Sequence, residues 1–160
     1  MGTTRARNGR DEGGAAAVEF ALIVPLLCFL LFAIIAYGYM LSFRQAVSQA
    51  AAEGARAAAV APRTLDAASV KTRAVQAVNQ GLDAYGVTCL ADGKLMHDGE
   101  QAGTCTISGK QACSGSTVAA QCVEVALSYT YEDDSLLPTF PGLGVLLPET
   151  LSYTTEAQVS

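Results

Sequence analysis

Basic residues are scarce in this chain, with 10 Lys and Arg against 15 Asp and Glu and a net charge of −5. No cluster of them makes the electrostatic footprint that phosphates require, which excludes nucleic acid as a partner. Histidine occurs once, as His97 in the polar turn context "KLMHDGEQ", where a solvated side chain is expected. Tight cysteine pairs are absent too. Cys89, Cys105, Cys113 and Cys122 are separated by 16, 8 and 9 residues, wider than the C-x₂-C pairs of a zinc site. Neither G-x-S-x-G nor a P-loop occurs. The acidic run Glu132-Asp133-Asp134 has no loop pattern around it to supply the six or more oxygens that calcium takes. Neither catalysis, nor a cofactor, nor a bound metal is expected. No internal repeat is present.

What the chain has instead is one long uncharged block, Phe20 to Phe43. At about 1.5 Å per residue it is roughly 36 Å long, enough to cross a hydrocarbon core of about 30 Å. The apolar region of a cleavable secretory signal is only about 7–15 residues, so this run is too long to be one. Of the residues, 51% are hydrophobic. That share is concentrated in this block and in alanine, so it describes a membrane-attached chain. Arg5, Arg7 and Arg10 precede the run, and Arg44 alone follows closely. The bias of basic residues towards the cytoplasm then places the N-terminus inside and the chain after about residue 44 outside. Cys28 lies within the run and behaves there as a small apolar side chain. The other four cysteines lie in the outer part, where an even number predicts two disulfides with three possible connectivities.

The helix that starts near Ala15 is expected to continue past the membrane surface as far as Ala61. Alanine dominates from Ser42 onwards, and no proline intervenes before Pro62. Such a stalk would be roughly 70 Å long. Phe43, Val47, Ala50, Gly54, Ala57 and Ala61 form one stripe, with Arg44, Gln45, Ser48, Glu53 and Arg56 mostly off it. Ala46, Ala50, Gly54 and Ala58 recur every four residues. Either a helix of another subunit or the chain's own outer domain fits against them. A second helix is predicted over Leu65 to Tyr85, capped by Thr64 and stopped by Gly86. Asp92-Gly93 and Asp98-Gly99 are turn signals, and faint strand patterns lie at Val87–Leu90 and Thr104–Ile107. "CVEVALSYTY" (residues 122–131) alternates clearly, as does the closing "TLSYTTEAQVS", and a loop with three prolines separates them. An α+β fold follows, with a long N-terminal transmembrane helix continuing as a stalk, a second helix and a small antiparallel sheet.

Two stretches, "GGAAAVEFALIVPLL" and "RQAVSQAAAEGARAAAV", resemble the TadE-like minor pilins, or pseudopilins, of the Tad (tight adherence) pilus system. Small residues lead to Glu-Phe, an apolar span with an early proline (Pro25) follows, and Glu53-Gly54-Ala55-Arg56 closes the pattern. Ala52 stands where members commonly carry a basic residue, and Asp11 and Glu12 lie close to a leader end that tends to be basic. The resemblance implies a pilin-like fold and cleavage by a prepilin peptidase after Gly14. Ala15 then becomes the new N-terminus and Glu19 the fifth residue. It also implies other pilins and the pilus assembly machinery as partners, besides the lipid bilayer.

The organisation expected is a cytoplasmic leader (1–14), a transmembrane and stalk helix (15–61, spanning about 20–43) and an extracytoplasmic α+β domain (62–160). A carboxylate in lipid costs several kcal/mol unless paired. Pairing Glu19 with the Ala15 ammonium of a neighbouring subunit would therefore favour assembled over dispersed subunits. Composition alone allows Glu19 merely to edge the span at the cytoplasmic interface. The rival function is an uncleaved, signal-anchored surface protein acting as an adhesin or ligand-binding module.

Overall fold

The computed structural model describes residues 11–62, 64–115, 120–131, 136 and 148–159. The leader arginines Arg5, Arg7 and Arg10, the acidic run 132–134, Pro138 and Pro141 lie outside the described residues. Two compact units divide the chain, Met1–Gly38 and Tyr39–Ser160.

Helix α1 runs from Asp11 to Ala59 and contains Pro25. That proline removes one intrahelical N–H and crowds the carbonyl four residues earlier, a cost that helices in lipid tolerate. In the first unit its apolar side chains, Phe20, Leu22, Ile23 and Leu26 among them, are exposed. From Gly14 to Ala59 the helix is long and apolar enough to cross a membrane. The helix stops before Pro62, where Val60 N–H bonds the Arg56 carbonyl and Ala61 N–H the Ala58 carbonyl. Pro62 cannot continue it and disfavours helix in the residue before it.

The second unit starts with the last turns of α1. Met40, Phe43, Val47, Ala50, Ala51, Gly54, Ala55 and Ala58 are buried, at three- and four-residue steps, while Arg44, Gln45 and Arg56 are exposed. Met40 and Phe43 close the uncharged run, yet they are covered by protein. Helix α2 spans Ala67–Leu82, and a 3₁₀ turn follows at Asp83–Tyr85. Its N-cap is Asp66 rather than Thr64: the carboxylate accepts from the Ser69 N–H and hydroxyl, so the helix starts later than the alanine-rich pattern suggests. Gly86 ends it in the left-handed region, at φ 66°.

Six strands are seen among the described residues: β1 Val87–Cys89, β2 Lys94–His97, β3 Glu100–Ile107, β4 Gln111–Ala112, β5 Gln121–Thr130 and β6 Thr150–Val159. All pairings are antiparallel. The order is β1-β2-β3-β5, with β4 sharing the β3 side of β5 and β6 paired along the whole other side. Asp98 and Gly99 both have positive φ, 49° and 87°. That is the conformation a two-residue hairpin turn needs between β2 and β3.

The arrangement is α+β, as expected, but β2 and β4 were not foreseen and β3 is longer than its pattern. The reason is local. Leu95 pairs with Gly103 while Met96 pairs with Gln101, so Ala102 is an extra residue on β3. This bulge switches the strand's facing, and Ala102 and Cys105 both point inward despite their odd spacing. Strand β5 carries no such irregularity. Val123, Val125, Leu127 and Tyr129 are buried on one face, and the residues between them are half-buried.

Candidate functional site

Gly14, Ala15 and Glu19 all lie within α1 and are exposed. Ala15 and Glu19 are four residues apart, hence on one helical face, one turn above each other. A Cβ added to Gly14 would meet nothing within 4 Å, so no packing in the structure requires a glycine there. Among the described residues Glu19 has no ion-pair partner. Cys28 is free and exposed on the same helix.

The small residues of α1 meet partners from the same chain. A Cβ on Gly54 would stand 2.6 Å from Val78 Cγ2 and 3.4 Å from the Ala74 carbonyl oxygen, both of α2. It would also lie 3.7 Å from Val125 Cγ1 of β5. Ala50 faces Gly81 so closely that a Cβ on that glycine would be 2.8 Å from its own. Ala58 is buried, and Ala46 is half-buried against the core. In this structure the four-residue repeat thus brings α2 and β5 against α1.

The four outer cysteines are brought together in pairs. Cys89–Cys105 joins β1 to β3 where β3 runs on past the start of β2, with Cα atoms 5.8 Å apart. Cys113–Cys122 closes the β4–β5 end, at 4.9 Å. Both separations are ordinary for disulfides. Of the three possible connectivities this is the sequential one.

Sequence reasoning missed an aromatic cluster around Phe43. Its ring lies 4.8 Å from Tyr129, 5.1 Å from Tyr85 and 6.1 Å from Tyr131, centroid to centroid. Tyr39 reaches Tyr85 at 5.6 Å, and the Tyr85 hydroxyl is 2.7 Å from the Ser42 hydroxyl. Burial pushes the Tyr131 phenol above its usual range, and nearby Tyr39 adds to the effect. The alternation of "LSYTY" was the one available signal, since it puts Tyr129 and Tyr131 on the core face with Leu127. His97 is corrected by the same cluster. It ends β2 rather than sitting solvated in a turn, its side chain is only 17% exposed, and its ring is 6.4 Å from Tyr129.

Asn79 was also missed. Its amide donates to the Cys89 carbonyl at 3.1 Å and accepts from the Cys89 N–H at 2.7 Å. A side chain of α2 thereby satisfies the β1 backbone as a neighbouring strand would. No group of three or more His, Cys, Asp or Glu is placed to hold a metal among the described residues.

An exposed apolar helix long enough to cross a membrane and a disulfide-linked α+β unit define the class of an α+β protein with a candidate membrane-spanning N-terminal helix. Residues 14–56 match the family model described as TadE-like protein. The similarity to that family thus lies in the N-terminal helix, from Gly14 to Arg56. No curated protein and no solved structure gives a significant match.

Proposed function

We propose that this chain is a minor pilin of a Tad-type pilus, taking part in priming, capping or low-copy incorporation. Residues 1–14 would serve as a cytoplasmic leader, and residues 62–160 would lie outside the cytoplasmic membrane. A prepilin peptidase cuts after Gly14, and Glu19, now fifth in the chain, pairs with the ammonium of a neighbouring subunit. The observation that carries this reading is the TadE-like match over residues 14–56, which takes in Gly14, Ala15 and Glu19 as well as the helix long enough to span a bilayer. The two disulfides support an oxidising, extracytoplasmic location for the second unit.

Physically, cleavage turns a peptide nitrogen into a cation one helical turn from Glu19. An unpaired carboxylate at the edge of lipid is costly, and an ammonium from the next subunit compensates it. Mass spectrometry of the protein from piliated cells should find Ala15 as its first residue. An intact Met1 or Gly2 overturns the processing step.

A further inference from the structure

Beside the point where the uncharged run ends, the second unit has an open groove of about 360 Å³ between α1 and β6. Leu41, Val47 and Leu151 supply apolar surface, Gln45, Ser48 and Ser152 supply hydrogen-bonding groups, and Arg44 and Tyr153 complete the lining. Arg44 is exposed and has no ion pair among the described residues, although the chain has more acids than bases. Among the described residues no acidic side chain lines the groove, and Arg44 is the charged one. The guanidinium it offers suits an anion.

Arg44 directly follows Phe43, the last residue of the run. Leu41 and Arg44 are three residues apart, so along the helix axis the guanidinium stem starts about 4.5 Å beyond the leucine. They line the groove from α1, while Met40 and Phe43 turn to the core. Tyr153 is 43% exposed. An amphipathic ring beside an arginine is the pairing found where a helix leaves lipid.

We propose that this groove receives the headgroup of an anionic phospholipid, with the Arg44 guanidinium on the phosphate and Tyr153 at the headgroup level. Gln45, Ser48 and Ser152 hydrogen-bond the remaining headgroup oxygens, and Leu41 contacts the start of an acyl chain. The proposal rests on the reading that α1 anchors the chain in a bilayer. One bound lipid would then fix how deep the helix sits.

The full chain is to be placed in nanodiscs of phosphatidylcholine with or without phosphatidylglycerol, and the protein released for native mass spectrometry. Wild type should retain one phosphatidylglycerol in preference to phosphatidylcholine. Arg44→Gln should lower the retained fraction about fivefold, the scale of one basic residue at an anionic surface. Because the chain has no tryptophan, Tyr153→Trp provides a single fluorescent reporter, whose emission should shift to shorter wavelength with the anionic lipid. Equal retention by Arg44→Gln overturns the proposal while leaving the anchor standing. An equal shift on adding inorganic phosphate to phosphatidylcholine discs also overturns it, since the site would then take a free anion. So does a shift that depends on protein copies per disc, which would reveal a second copy in the groove. Failure of the chain to enter the discs at all refutes the anchor itself, and the proposal with it.

Discussion

Gly81 of α2 crosses Ala50 of α1 so closely that a Cβ on the glycine would stand 2.8 Å from the alanine Cβ and 3.0 Å from its Cα. Two small residues thereby set the distance between the helices. Gly81→Ala should gain helix propensity yet lose stability, because the backbone of α1 cannot give way. The expected loss is about 1–3 kcal/mol, the usual penalty for overpacking. Ala50→Leu should lose more. Chemical denaturation of the folded unit in the intact protein, with lowered midpoints and unchanged slopes, checks both.

Gly103 is still more constrained, since an added Cβ would collide with the Ser128 carbonyl oxygen of β5. Gly103→Ala must therefore push β3 off β5. We expect hydrogen exchange to accelerate at the β3–β5 pairs, Cys105–Leu127 and its neighbours, with β5–β6 less affected.

Replacing Asn79 by Leu leaves the Cys89 N–H and carbonyl without the partners they now have. Each orphaned backbone group costs about 1–3 kcal/mol if water cannot reach it. Asn79→Asp restores only the acceptor, so its stability should fall between wild type and Asn79→Leu in thermal unfolding.

Reducing the disulfides should lower stability by about 2–4 kcal/mol each. Cys89–Cys105 closes a loop of sequence separation 16 and Cys113–Cys122 one of 9. On chain entropy alone the first contributes slightly more. Pairwise Cys→Ala variants compared by denaturant midpoint test the order.

Two titrations contribute to the pH dependence of stability. Hydrogen bonds from the Ser69 side chain and backbone hold Asp66 below its ordinary value of 3.8. Its contribution is present above that value and disappears as pH falls through the folded-state pKa, and Asp66→Asn should flatten the acid limb. Tyr131 is shifted the other way, above 10.0. The unfolded chain ionises first, so its stabilisation is complete below about pH 10 and is lost above. Tyr131→Phe should remove that alkaline loss in a pH series of melting temperatures.

Glu19→Gln keeps the size of the side chain and removes its charge. On the assembly reading, pili should be lost while the disulfide-linked unit keeps its circular dichroism and melting temperature. Unchanged piliation and adhesion would instead favour an uncleaved, self-sufficient surface anchor.

The sequence by itself determined the elements whose physics is local or periodic. The uncharged run from Phe20 dictated a helix that suits lipid, Pro62 its end, and Gly86 the stop of α2. Alternation announced both β5 and β6; in β5 Val123, Val125, Leu127 and Tyr129 take the buried face, whereas in β6 only Leu151 is buried. Tertiary structure decided whatever depended on distant partners. The bulge at Ala102 breaks the period of β3, so no pattern showed its length. β2 and β4 are too short to carry a period at all. Four cysteines allow three pairings, and only the fold brings Cys89 to Cys105 and Cys113 to Cys122. The stripe around Ala50 and Gly54 said that something must come close. That α2 of the same chain does so follows from the chain's reversal after Pro62, which returns it along α1. The groove at Arg44 was equally illegible, since its walls are more than a hundred residues apart in sequence.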